Sequence, residues 1–96
     1  MPHYHVIGRD HPGEPERRLQ AREAHLAMVE RLKAEGTMLL GGALLDTDGN
    51  MVGSMLVYHA ESREALDRIL AEDPYIKADV FRDIEITEYR PAPFFT

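Results

Sequence analysis

The chain has no cysteine. That absence excludes a disulfide frame, a thiolate nucleophile and any cysteine-based zinc centre, and it suits a reducing compartment. Positive charge is also scarce: Lys and Arg number 11 against 17 Asp and Glu, for a formal net charge of −6. An acidic chain with no basic stripe interleaved with aromatics is a poor partner for phosphate backbones, so no nucleic acid is expected. No stretch approaches the roughly 18 apolar residues of a membrane span. The opening Met1-Pro2-His3-Tyr4-His5 lacks the basic lead and apolar run of an export signal. A cytoplasmic protein with no membrane partner is the expectation. There is no internal repeat, no low-complexity tract and no phosphate-cradling glycine loop after a strand, so no cofactor is expected. His3, His5 and His59 fall short of a convincing metal set, which needs three or four converging ligands. They read as surface or interface histidines, and no metal site is expected.

What remains is an ordinary globular composition, 44% hydrophobic and 29% charged over 96 residues. This predicts one domain over 1–96, with a core at about 3–89 and a tail at 90–96. A domain this small buries only about 60–65% of its unfolded surface, which favours pairing with a second copy.

Punctuation and periodicity divide the chain. Tyr4 to Gly8 reads as a strand, and the loop that follows carries Pro12, Gly13 and Pro15. Pro15 to Glu35 is rich in Ala, Leu, Glu and Arg and reads as a long helix stopped by Gly36. Thr37 to Leu45 and Met51 to Ala60 read as strands joined by the turn-forming Asp46-Thr47-Asp48-Gly49-Asn50. Ser62 suits the N-cap of a helix over Arg63 to Glu72, which Pro74 ends. Phe81 to Tyr89 is the last strand. The order β-α-β-β-α-β predicts an α+β, ferredoxin-like fold: a four-stranded antiparallel sheet with two helices on one face. Strands 38–45 and 51–60 are apolar on both sides, unlike a sheet with one wet face. The free face is therefore expected to be covered by a second copy, giving a homodimer.

The long helix places polar groups where apolar ones belong. At about 100° per residue, Leu26, Val29 and Leu32 mark a stripe that also holds Arg18, Arg22 and His25. Buried charge or imidazole is costly unless paired. The plain reading turns both arginines to solvent and leaves His25 a satisfied core residue. The functional reading is a small anion-binding pocket with His25 as acid or base. Asp73, at a helix end before Pro74-Tyr75, is either a turn residue or the carboxylate that holds the His25 ring. Gly41-Gly42 and Gly53-Ser54 in neighbouring strands suit either close packing or a ligand lying over them. Ser54 is not read as a nucleophile, because no Gly-x-Ser-x-Gly elbow surrounds it.

The string Arg22-Glu23-Ala24-His25-Leu26, followed by Gly36, Gly41-Gly42, a Gly-Ser strand and Asp73-Pro74-Tyr75, resembles the YCII-related family over roughly residues 4 to 89. The resemblance implies a dimeric α+β barrel with a pocket built on His25 and Asp73. It also implies activity akin to isomerases and dehydrochlorinases of ring-derived compounds. One departure is Lys77-Ala78-Asp79, where many relatives carry Gly in the third position. The resulting expectation is a small acid/base enzyme acting on an anionic or cyclic small molecule. His25 and Asp73 are its catalytic residues, and Arg22, Arg18, Ser54, Gly41, Gly42 and Tyr75 contact the substrate. The alternative is a non-catalytic dimeric module that binds a ligand through the same pocket.

Overall fold

A computed structural model describes residues 1–95. Strand β1 (His3–Asp10) leads to helix α1 (Pro15–Ala34), the hairpin β2 (Met38–Leu45) and β3 (Met51–His59), then α2 (Arg63–Glu72), a single turn α3 (Pro74–Lys77) and β4 (Phe81–Tyr89). A 3-10 turn, Pro93–Phe95, follows. The sheet runs β2-β3-β1-β4 with every neighbouring pair antiparallel. This is the expected ferredoxin-like arrangement, with the helices on one face. The sequence did not announce α3, which begins where the helix before it was expected simply to stop.

Local chemistry explains the boundaries. Pro15 opens α1, where its missing N–H costs nothing. Gly36 (φ 79°) ends it in the left-handed conformation, and the Thr37 N–H bonds back to the Leu32 carbonyl. The Ser62 hydroxyl accepts from the Ala65 N–H and caps α2. In the hairpin, Asp46 Oδ1 accepts from the backbone N–H groups of both Asp48 and Asn50. The Asn50 N–H, more than any other contact, holds the Asp46 carboxyl below its ordinary pKa.

Tyr4 and Val6 of β1 and Leu56 and Tyr58 of β3 face the helices and pack with Met28, Leu32, Leu66 and Leu70. A smaller cluster, Ala21, Tyr75, Val80 and Phe81, forms a separate floor near the start of α1. Gly8 is needed there, since a Cβ at this position would lie 2.7 Å from the Phe81 ring.

The buried stripe of α1 is Arg18, Ala21, His25, Met28 and Leu32. It is rotated from the stripe expected through Leu26, which is 44% exposed. Arg18, His25 and Leu32 are shared with the expected stripe, whereas Ala21 and Met28 take the places expected of Arg22 and Leu26.

On the opposite sheet face, β1 places His3, His5 and Ile7 opposite His59, Val57 and Met55 of β3. Leu40 and Gly42 of β2 pair with the same Val57 and Met55. His3 and His59 stack with ring centroids 4.5 Å apart, and Tyr89 meets His3 edge-on. No helix among the described residues is long and apolar enough to cross a membrane.

Candidate functional site

The site forms where the first turns of α1, the end of α2 and the middle of β3 converge. Asp73 caps both helices that meet at it. It closes α2, and its Oδ1 accepts from the Tyr75 N–H (2.9 Å) at the start of α3. The same oxygen lies 2.8 Å from His25 Nδ1. His25 is 5% exposed and Asp73 2%, so the contact is shielded from water. The Tyr75 ring lies parallel to the imidazole, with centroids 3.7 Å apart and planes within 9°. The ring plane of His25 is thus held by stacking and its Nδ1 edge by a carboxylate.

Arg18 does not turn to solvent. It is 3% exposed, with Nε and one terminal nitrogen bound to the two oxygens of Asp10 at 2.8 and 2.9 Å. Such bidentate pairing is among the strongest that side chains make. The same terminal nitrogen donates to Ser54 Oγ at 2.9 Å. The guanidinium also lies 4.6 Å from the Tyr75 ring centroid and 5.8 Å from that of Phe81. Burial works against its charge, but the hydrogen bonds and attraction of Asp10 outweigh this and hold its pKa above the ordinary value. Burial raises the Tyr75 phenol, against the opposing pull of Arg18. Arg22, by contrast, is exposed and has no hydrogen bond or ion pair among the described residues.

A pocket of about 130 Å³ joins these groups. Arg18, Arg22, His25 and Tyr75 form one side, and Gly41, Gly42 and Ser54 form the other. Of the residues expected to act on or contact a substrate, only Asp73 does not line it; Asp73 meets the pocket through His25. Sequence reasoning missed Asp10. An inward-facing arginine on α1 needs a buried anion nearby, and Asp10, at the end of the preceding strand, was the available signal.

Asp79 does not line this pocket. It is the one non-glycine residue among those described with positive φ (53°), the conformation that a glycine would adopt freely. Its carboxylate receives Arg17 at 2.9 Å, and His11 Nε2 approaches to 3.4 Å. The departure at Asp79 therefore concerns the turn and its tether to α1.

Residues 3–90 match the YCII-related domain family. A Haemophilus influenzae protein described as uncharacterised is 31% identical over 94 residues, spanning 92% of this chain and 96% of its own. Protein YciI of Escherichia coli O6:H1 is 30% identical over 93 residues, spanning 91% and 95%. Among solved structures, 5-chloro-2-hydroxyhydroquinone dehydrochlorinase of Burkholderia phenoliruptrix AC1100, in complex with 2,5-dihydroxybenzoquinone, gives a TM-score of 0.86 at 27% identity. That match covers 98% of this chain and 99% of the other. An uncharacterised NIPSNAP domain protein from Burkholderia xenovorans shares the fold alone, with a TM-score of 0.54 at 16% identity over 98% and 97% of the two chains.

Proposed function

This chain belongs to the YCII-related family, and from that premise we propose that it is an acid/base enzyme that moves a proton on a small, oxygenated cyclic or anionic substrate. The observation that carries this reading is the buried contact between His25 Nδ1 and Asp73 Oδ1, beside a pocket that Arg22 and Ser54 also reach.

With its Nδ1–H given to Asp73, the neutral ring keeps the Nε2 lone pair as its one basic position. Nε2 accepts a proton from the substrate. The electron pair left behind moves into an adjacent carbonyl, giving isomerisation, or expels a leaving group such as chloride, giving elimination. Asp73 stabilises the imidazolium until its proton passes to another substrate atom or to solvent. Ser54 is pinned as an acceptor by Arg18, so its own hydrogen remains free to donate to a substrate oxygen as negative charge develops there. Arg22 supplies the mobile positive charge at the rim. The charge of Arg18 is already committed to Asp10, and its part is to orient Ser54. The dehydrochlorinase of the same fold, with its quinone-type ligand, supports an oxygenated ring as the substrate class.

The same reading includes a homodimer. The sheet face away from the helices carries Ile7, Leu40, Met55 and Val57, an apolar set that a second copy would cover. A monomeric mass in sedimentation at micromolar concentration would reject it.

The function is tested by incubating wild type and His25→Gln with chlorinated and unchlorinated hydroxyhydroquinones in D₂O. NMR then follows chloride loss and deuterium uptake. Wild type should turn over at least one ring compound at 10²-fold or more above His25→Gln, the usual scale of general acid–base catalysis. Binding without turnover would leave a non-catalytic ligand module instead.

A further inference from the structure

The catalytic pocket, at about 130 Å³, is small beside the roughly 300–1,000 Å³ of ordinary ligand sites. It opens beside a second, larger cleft of about 580 Å³. The two share Arg18 and Met51 as walls. The cleft lies between the loop that follows β1 and the β2–β3 hairpin, and its other apolar lining is Pro12, Pro15, Leu19 and Val52. Leu19 is 58% exposed and Val52 41%, so both present apolar surface to the cleft.

The carboxylates in the same wall are all occupied within the chain. Asp10 is bound to Arg18, Glu14 receives Arg17 at 3.0 Å, and Asp46 holds its own hairpin turn. None is free to recruit a cation, and the basic side chains of the wall, Arg18 and His11, already face Asp10 and Asp79, so no unpaired charge is left for an anion. We infer that the cleft is the second half of the substrate site and takes an uncharged, apolar substituent carried by the reactive ring. This rests on the acid/base reading of the inner pocket and adds the substrate class: a ring head bearing a hydrocarbon appendage.

The test uses two probes, 2,5-dihydroxybenzoquinone and its 3-hexyl derivative, titrated into methyl-labelled full-length protein. The hexyl compound should bind about tenfold tighter or better, from methylene groups removed from water. It should shift the methyl signals of Leu19 and Val52, which line the cleft alone, and in Leu19→Glu the affinity ratio of the two probes should fall toward one. Equal affinities, or unmoved Leu19 and Val52 methyls, would overturn the inference, including the case in which neither probe binds. The His25 ring signals report on the inner pocket separately. If the parent ring shifts them and the hexyl chain adds nothing, the acid/base site stands and the cleft is no part of it. If the hexyl chain moves the cleft methyls and His25 stays still, the cleft binds the chain apart from the inner pocket and the inference of one shared substrate site is overturned.

Discussion

Asp73→Ala is the perturbation whose consequences follow most directly from the geometry. One oxygen of Asp73 accepts two hydrogen bonds, from His25 Nδ1 at 2.8 Å and from the Tyr75 N–H at 2.9 Å. A bond to a charged acceptor is worth about 1.5–3 kcal/mol, and an N-cap typically about 1 kcal/mol. Their joint loss should cost about 3 kcal/mol. For a domain of this length each kcal/mol lowers Tm by roughly 4–8 °C, so a drop on the order of 12–24 °C is expected. Asp73→Asn can keep an oxygen in the same place and loses only the charge, so it should cost about 1 kcal/mol. Urea denaturation of the three proteins, with unchanged m-values, gives the energies. Long-range ¹H–¹⁵N spectra of the His25 ring give the tautomer, which should place the proton on Nδ1 in the neutral wild-type ring. A loss below about 1 kcal/mol for Asp73→Ala, or a wild-type neutral ring protonated on Nε2, would refute the claim that Asp73 orients the base.

Two further outcomes follow from buried polar groups. Asp10→Ala strands the Arg18 guanidinium, whose side chain is 4% exposed, and should cost about 3–5 kcal/mol. Adding Arg18→Met should recover part of that loss, and a double-mutant cycle that is simply additive would show that the two do not act as a pair. Tyr58 is fully buried, its hydroxyl has no hydrogen-bond partner among the described residues, and its pKa is raised by burial and then by the charge of Asp73. Above pH 10.0, the ordinary tyrosine value, the unfolded chain gives up this proton while the folded chain keeps it, so stability falls as pH rises. Tyr58→Phe should flatten that alkaline slope and at pH 7 should be neutral or stabilising by about 1 kcal/mol. A loss greater than about 1 kcal/mol in chemical denaturation would mean the hydroxyl is well satisfied.

The order of elements was legible from the sequence because it depends on local chemistry. Gly36, the Asp46–Asn50 turn and Ser62 act within a few residues of themselves, and the strands and helices they separate appear within a residue or two of the expected limits. His25 and Asp73 could be suspected from the sequence because an imidazole on a helix face that ought to be buried needs a partner. Their meeting could not be read there: 48 residues separate them, and only the packing of α1 and α2 on one sheet face brings them to 2.8 Å. The same limit hid Asp10. Apolar periodicity puts Arg18, His25 and Leu32 on the buried face, where they lie, but it also puts Leu26 and Arg22 there, and both are exposed while Ala21 and Met28 are buried. A buried arginine violates the pattern until the tertiary fold supplies its carboxylate. Sequence determined where the chain turns and which residues are too polar to be idle. Tertiary structure decided which of them are neutralised by a partner, as Arg18 is, and which have none among the described residues, as Arg22 has none, because that distinction depends on distances between distant parts of the chain.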